Sequence, residues 1–224
     1  MSLARTMSCV TMAVSGYAID VEAHVSEGVV GMNVTGLADT SINEAKDRVR
    51  AALMNSGVPW PQKRITVGLS PAWLPKHGSG LDLAIAAAIY LTQAGLPIES
   101  DKQTLYFAEL GLDGRVRSVR GALIAAMTAR ASGCRRIVVA SADVGQALLV
   151  DGIEVIGVDH LREALAVVRG DHVEGSHVPV TSADLPVYES TLDFAQVRGQ
   201  TQVKRGLEIA AAGGHHCALL GPPG

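Results

Sequence analysis

The chain has 224 residues, of which 48% are hydrophobic, 18% charged and only 4% aromatic. This length allows one large domain, or one domain together with part of another. The net charge is −3, whereas a dedicated nucleic-acid-binding module usually has an excess of positive charge. A local basic patch is still compatible with this net charge. The three cysteines, Cys9, Cys134 and Cys217, form no CxxC pair, so the sequence predicts neither a zinc site nor a disulfide framework. Because no long apolar stretch opens the chain, we expect no signal peptide or membrane span and a reduced, cytoplasmic setting.

The first elements are predicted to be strands. Residues 7–14 and 18–25 are β-rich runs separated by Ser15-Gly16-Tyr17, which predicts a hairpin with its turn at these three residues. In the second run apolar and polar residues alternate, which is typical of a strand with one solvated face. Residues 32–35 predict a third short strand.

A helix follows at residues 42–53. The Ser41-Ile42-Asn43-Glu44 segment has the pattern of a capping box, in which Ser41 and Glu44 would satisfy each other's backbone amides. Gly57 ends this helix, and residues 64–69 predict the next strand.

A glycine-rich loop, Lys76-His77-Gly78-Ser79-Gly80, precedes a mostly apolar helix predicted at residues 81–94, which we expect to be buried on nearly all sides. Ser79 could act as a nucleophile, but a serine needs a general base within hydrogen-bond reach, and His77 is only two positions away. A serine that caps the helix or contacts a phosphate is the alternative. Asp82, at the start of the helix, would interact favourably with the helix dipole.

Strands and helices alternate in the second half of the chain. Asp113-Gly114 is a strong turn signal between strands at residues 105–110 and 115–119. After it we predict helices at 122–131, 142–149 and 160–168 and strands at 136–140 and 153–158. Antiparallel hairpins followed by alternating elements predict an α+β fold of layered sheet and helices, over residues 1–170.

The chain changes character after this domain. Residues 171–192, rich in Asp, Ser, Thr and His, predict a linker. Residues 193–224 carry a helical pattern at 200–213, then an apolar run predicted to be a strand, and finally Gly221, Pro222, Pro223 and Gly224. A P-loop reads Gly, four residues, then Gly-Lys-Ser/Thr, so these four residues match the first half of a nucleotide-binding loop.

Basic residues offer a second candidate site. Lys76, Arg115, Arg117 and Arg120 are candidate DNA contacts, and strand alternation would place Arg115 and Arg117 on one face. If the basic residues converge in space, they could neutralise phosphates. Otherwise they form a solvated face beside acidic neighbours such as Glu109 and Asp113.

Taken together, the motifs resemble those of the magnesium-chelatase-like AAA+ proteins of the ComM (YifB) type. The resemblance covers most of the chain apart from the linker. The matching stretches are residues 36–39, 44–53, 65–72, 74–79, 82–86, 109–116, 197–200 and 208–216.

This resemblance implies a Lon-protease-like fold for residues 1–170, related to a ribosomal-protein domain and to the RadA recombination helicase. In Lon-type proteases a loop like Pro75-Lys76-His77-Gly78 precedes the catalytic serine. Alignment of that loop without gaps places Gly80 at the serine position. The partner lysine follows a Gly-Gly-Leu-like segment in these proteases, and Gly121-Ala122-Leu123 places Leu123 at its position here. Both catalytic groups are therefore missing, and we expect no catalytic residue and no peptidase activity.

The resemblance also implies the function of the complete protein. It would be a hexameric AAA+ motor that uses ATP and Mg²⁺ to process branched or single-stranded DNA, in DNA uptake or recombination. The Lon-like domain would be a scaffold or a DNA-contacting module, and we expect these 224 residues alone to bind no nucleotide. The alternatives are a magnesium-chelatase-type ATPase subunit and a residual Ser/Lys protease.

Overall fold

The computed structural model describes residues 2–37, 39–94, 103–171 and 193–221. The chain divides into two units, residues 1–181 and 182–224. The predicted linker lies outside the described residues except for Asp171, whose amide donates to the carbonyl oxygen of Ala166 at 3.0 Å.

Seven strands of the first unit form one mixed sheet in the order β3-β4-β2-β1-β5-β8-β9. The β1–β2 and β2–β4 pairs are antiparallel and the other four pairs are parallel. Two further short strands, β6 and β7, pair with each other as a hairpin. The strands are β1 Ser2–Met12, β2 Ser15–Ser26, β3 Gly31–Thr35, β4 Arg64–Ser70, β5 Thr104–Phe107, β6 Glu109–Leu110, β7 Val116–Arg117, β8 Arg136–Ala140 and β9 Glu154–Val158.

Helices cover both faces of the sheet, which confirms the predicted layered combination of sheet and helices. Helices α1, α2 and α5 enclose the larger apolar core, and α3 and α4 enclose the smaller one on the other face. None of the helices in the described residues is long and apolar enough to cross a membrane. Their bounds are α1 Thr40–Asn55, α2 Asp82–Ala94, α3 Ala122–Ala131, α4 Val144–Ala147 and α5 Leu161–Arg169.

Helix α2 is the centre of the larger core. Nine of its residues are buried, and the short side chains of four alanines let neighbouring elements approach closely. Two buried hydroxyl groups of β1 are satisfied here, because Thr6 donates to the carbonyl oxygen of Ala84 at 2.9 Å and Ser8 to that of Tyr106 at 2.7 Å. The predicted burial of this helix on nearly all sides is confirmed.

The first hairpin turns earlier than predicted. Met12 pairs with Ser15, so the turn consists of Ala13 and Val14, with Ala13 at a φ of 52°. The sequence prediction misread Gly16, which lies within β2. A Cβ atom at Gly16 would lie 1.9 Å from the hydroxyl oxygen of Thr128, so this glycine permits α3 to pack closely against the strand.

The predicted capping box is also wrong, because α1 begins one residue before Ser41. Asp39 is the N-cap, and its Oδ1 accepts a hydrogen bond from the amide of Ile42 at 3.0 Å. A carboxylate at this position accepts from a free amide of the first helical turn, which is the role of an N-cap residue.

The second unit contains a short 3₁₀ turn, Phe194–Gln196, and helix α6, Thr201–Gly213. The strand predicted after this helix is absent from the described residues, because 215–221 adopt no regular structure. A strand needs a neighbouring strand for its backbone hydrogen bonds, and the described residues of this unit include no other strand. Ala210 alone among them is buried.

Candidate functional site

The loop that precedes α2 is held against the loop that precedes α1. The Lys76 amide donates to the carbonyl oxygen of Leu37 at 3.2 Å, and the Asp39 amide donates to that of Lys76 at 3.3 Å. His77 Nδ1 lies 3.2 Å from Asp39 Oδ2. Asp39 therefore connects the start of α1 to the loop that opens α2.

The structure places Lys76 inside the molecule. Its side chain has no exposed surface, and its Nζ donates to the carbonyl oxygen of Pro71. Burial lowers the pKa of this amine. Lys76 therefore does not present its charge on the surface that a DNA phosphate would reach, and the DNA-contact prediction rests on the three arginines.

An ion pair is buried where α2 begins. Asp82, only 1% exposed, accepts hydrogen bonds from Arg48 Nε at 2.8 Å and Nη2 at 3.2 Å, and from the Leu110 amide at 3.3 Å. Burial raises the pKa of the Asp82 carboxyl from 3.8 to about 6, against the opposing effect of Arg48. The pair thus joins α1, α2 and the β6–β7 hairpin.

A second polar contact lies beside this pair. The Ser79 hydroxyl donates to Glu109 Oε2, and Arg117 Nη1 lies 4.0 Å from Glu109 Oε1. Glu109 faces Arg117 across the β6–β7 pair, which fixes the register of these two side chains. The structure therefore brings Arg117 close to the loop containing Ser79.

Arg115 and Arg120 are both exposed, and no hydrogen bond or ion pair of the described residues joins them to Ser79 or to each other. Arg115, 78% exposed, has its Nε 3.3 Å from Asp113 Oδ2 at the hairpin turn. It lies just before β7 and forms an isolated bridge with His160. The arginine guanidiniums thus occupy the hairpin and the segment after it.

The hairpin is fastened to three helices. Leu161, the first residue of α5, donates its amide to the carbonyl oxygen of Gly114 at 2.8 Å, and Val116 donates to that of Asp159 at 2.9 Å. Asn55, the last residue of α1, donates its side-chain amide to the carbonyl oxygen of Leu112 at 2.7 Å. The Leu110–Asp82 hydrogen bond described above joins the hairpin to α2.

The positions aligned with a Lon-type dyad are apolar in this fold. A Cβ atom at Gly80 would lie 2.6 Å from Cε2 of Phe107, so the aromatic ring fills the space that a side chain would need. Phe107 belongs to the smaller apolar core, and Leu123 packs against the same core. Ser79 contacts a carboxylate, whereas His77 contacts Asp39. No serine–lysine pair is formed at these positions.

Sequence reasoning missed the partners of Asp82. The signal was available, because a charged residue that opens a helix buried on all sides needs a counter-charge. This signal does not identify Arg48 as the partner, however, because Arg48 is 34 positions from Asp82 in sequence and lies on another helix. Within the parts of the chain that the structure describes, no cluster of His, Cys, Asp and Glu could hold a metal ion.

Comparison with known proteins identifies the family. The family model "Subunit ChlI of Mg-chelatase" matches residues 21–143, more than half of the chain, and the model "Magnesium chelatase, subunit ChlI" matches residues 193–224. This chain belongs to the Mg-chelatase ChlI family.

This chain is similar to several curated proteins over the whole of its own 224 residues. It is 43% identical to an uncharacterized protein of Mycobacterium tuberculosis, 39% to the uncharacterized protein YifB of Escherichia coli and 36% to competence protein ComM of Haemophilus influenzae. All of this chain is matched, but it spans only 44% of each of these relatives. A more distant match, 26% identical over 168 residues, is Lon protease 2 of Bacillus subtilis; it covers 67% of this chain and 30% of that protein.

Proposed function

We propose that this family member is the leading part of an ATP-dependent AAA+ motor that processes branched or single-stranded DNA during DNA uptake or recombination. The observation that carries the proposal is similarity to competence protein ComM over the whole of this chain, which spans 44% of that protein, combined with the ChlI-family matches on both sides of residues 144–192. The complete motor would be an ATP-hydrolysing hexamer.

In this proposal the first unit is a Lon-protease-like scaffold without peptidase activity. The match to Lon protease 2 supports the likeness, and the apolar surroundings of Gly80 and Leu123 support the loss of the catalytic dyad. A serine at Gly80 would also have to displace the Phe107 ring. Ser79, which hydrogen-bonds to Glu109, would act as a structural residue of the loop.

The second unit would begin the nucleotide-binding module. Gly221 is the one residue of the half P-loop that the structure describes, and a Cβ atom there would meet nothing within 4 Å. Pro222, Pro223 and Gly224 lie outside the described residues. The chain supplies the glycine-rich half of a P-loop but neither the lysine nor the hydroxyl that follow it in the full pattern. In the complete protein, that lysine and hydroxyl would hold ATP and Mg²⁺ together with this glycine-rich segment.

The β6–β7 hairpin is the proposed DNA contact of the first unit. Arg115 and Arg117 are well exposed; Asp113 lies 3.3 Å from Arg115 at the surface, and the half-buried Glu109 lies 4.0 Å from Arg117. Ion pairs of exposed arginines contribute little to stability, so phosphates could replace the carboxylates as partners of both guanidiniums. Arg120 would add a third cation after β7.

The test uses the full-length protein and a fluorescent four-way DNA junction. We expect wild-type protein to hydrolyse ATP faster when the junction is present and to migrate the branch point. Replacement of both Arg115 and Arg117 by alanine should weaken junction binding. It should also reduce the slope of log K against log salt by about two, because each phosphate contact contributes about 0.9.

Arg130→Ala is the matched control, since Arg130 is an exposed arginine on α3 outside the hairpin. Unchanged affinity in the double variant would refute the hairpin as a DNA contact while leaving the motor proposal intact. ATP hydrolysis that no DNA structure stimulates, together with no branch migration, would refute the motor's role in DNA processing.

The family models themselves favour a second candidate, a motor subunit that drives magnesium insertion into a porphyrin. This candidate requires ATP-dependent formation of the magnesium porphyrin when the full-length protein is combined with candidate partner subunits. Porphyrin fluorescence distinguishes the metal-free from the metal-loaded form, and no change under these conditions would remove the candidate.

A residual protease is the third candidate, and the Ser79–Glu109 contact is the feature it would use. We expect no hydrolysis of casein or of a fluorogenic peptide. Cleavage that disappears in a Ser79→Ala variant would overturn the proposed loss of peptidase activity.

A further inference from the structure

The two edges of the sheet differ in how they are protected. Residues 155–158 of β9 are all buried at one edge. At the other edge, β3 has alternating exposed and half-buried residues. Among the described residues the sheet ends at β3, and no backbone hydrogen bond joins its outer side to another described segment.

Strand β3 also lacks the usual features that block strand addition. Proteins protect edges with charged residues, prolines or bulges, but β3 reads Gly-Met-Asn-Val-Thr. It is regularly paired with β4 over all five residues, so its backbone is already extended. Apolar side chains precede it: Val29 is 89% exposed and Val30 is 48% exposed. Such an edge can accept another strand.

Grooves lie on both sides of the strand. On the helix side, a groove of about 200 Å³ is lined by Met32 and by Lys46, Asp47 and Arg50 of α1. On the opposite side of β3, a groove of about 330 Å³ is lined by Asn33, Arg64 and the two valines before β3. Successive side chains of an added strand point to opposite faces, so they would enter the two grooves alternately.

The charge of the grooves indicates the occupant. Lys46, Arg50 and Arg64 contribute three cations, and Asp47 contributes one acid. Arg50 also lies over the Trp60 ring, with its Cζ 5.9 Å from the ring centroid, and this contact holds the guanidinium at the groove. Positive charge on both sides of an open strand favours acidic side chains at the positions that reach these cations.

We propose that β3 is a docking edge for an extended peptide segment of a partner protein, one that carries acidic and β-branched side chains. Backbone hydrogen bonds to β3 would supply affinity, and the two grooves would supply specificity. The apolar side chains of the segment would contact Val29 and Val30, and its carboxylates would face Arg50 and Arg64.

The test measures fluorescence anisotropy with the 224-residue chain and a labelled peptide, acetyl-Val-Thr-Val-Glu-Glu-Val-Thr-Val-amide, whose adjacent glutamates point to opposite faces of an extended strand. We expect saturable binding that protects amides of residues 31–35 from hydrogen exchange. Arg64→Glu should weaken binding by roughly three- to tenfold, because it replaces an attraction with a repulsion. Arg130→Glu makes the same charge change on α3 and should leave affinity unchanged.

Further peptides separate strand addition from charge attraction alone. A peptide with Lys in place of Glu should not bind. Peptides N-methylated at alternate residues, in each of the two possible registers, keep their charge but lose one set of backbone donors; one of the two should fail to bind. If Arg64→Glu does not fold, as judged by circular dichroism, Arg64→Gln and the N-methylated peptides decide the question.

Three results would overturn the proposal. Equal binding of both N-methylated peptides would exclude backbone pairing. Competition by a single-stranded oligonucleotide at the same charge concentration would identify a general polyanion site. Protection of residues 31–35 without peptide, rising with protein concentration, would show that a second copy of the chain occupies the edge.

Discussion

The buried Arg48–Asp82 pair makes the stability of the fold depend on pH in a predictable direction. Burial raises the Asp82 pKa from 3.8 to about 6, so between these pH values the folded chain binds more protons at this site than the unfolded chain. The contribution of Asp82 to the free energy of unfolding therefore falls as the pH rises from about 4 to about 6, and it is constant above about pH 6. A pKa change of this size corresponds to about 3 kcal/mol.

Asp82→Asn removes this dependence. Relative to the variant, the wild-type chain should lose about 3 kcal/mol of stability between pH 4 and pH 7. Urea unfolding followed by circular dichroism at several pH values measures the difference. Asp47→Asn, an exposed carboxylate on α1, is the control and should show a much smaller change. A difference between wild type and Asp82→Asn that is the same at all pH values would refute the reasoning.

Arg48→Met tests the same pair from the other side. It leaves a buried carboxylate without its cation, which raises the Asp82 pKa further and should cost about 3–5 kcal/mol at neutral pH. Because the carboxylate can be neutralised by a proton, the cost should be smaller at pH 5 than at pH 8. A cost that does not change with pH would contradict this.

Two further predictions concern close packing and thiol reactivity. Gly80→Ala should destabilise the chain by about 1–3 kcal/mol, because the added methyl group would collide with the Phe107 ring. Gly145→Ala is the control: it lies in open space on α4 and should be neutral or stabilising. Thermal unfolding compares the two variants, and equal effects would contradict the Phe107 contact. Cys217 is exposed and should react with a thiol reagent in the native chain. Burial raises the pKa of Cys9 to about 12, so Cys9 should react only after urea unfolds the chain. Rapid labelling of Cys9 in the native chain would contradict its burial.

The sequence was most informative where local pattern and tertiary environment agree. The mostly apolar residues of α2 predicted a helix buried on nearly all sides, and the Asp113-Gly114 turn predicted the β6–β7 hairpin; the structure confirms both. In these segments, periodicity and turn chemistry determine the element without information from elsewhere in the chain.

Its errors arose where a distant residue decides the structure. Gly16 was interpreted as a turn residue, but the close approach of Thr128 requires it. Lys76 was interpreted as a surface cation, although the fold around Pro71 buries it. The partner of Asp82 could not be found from spacing, because Arg48 reaches it only after α1 and α2 pack together.

The attachments of the β6–β7 hairpin determine how it would respond to mechanical load. Its backbone joins the start of α5, while Leu112 and Leu110 connect it to the end of α1 and the start of α2. A force applied to Arg117 would therefore be transmitted to three helices instead of bending the hairpin alone. Displacement of the hairpin would shift these helices with it.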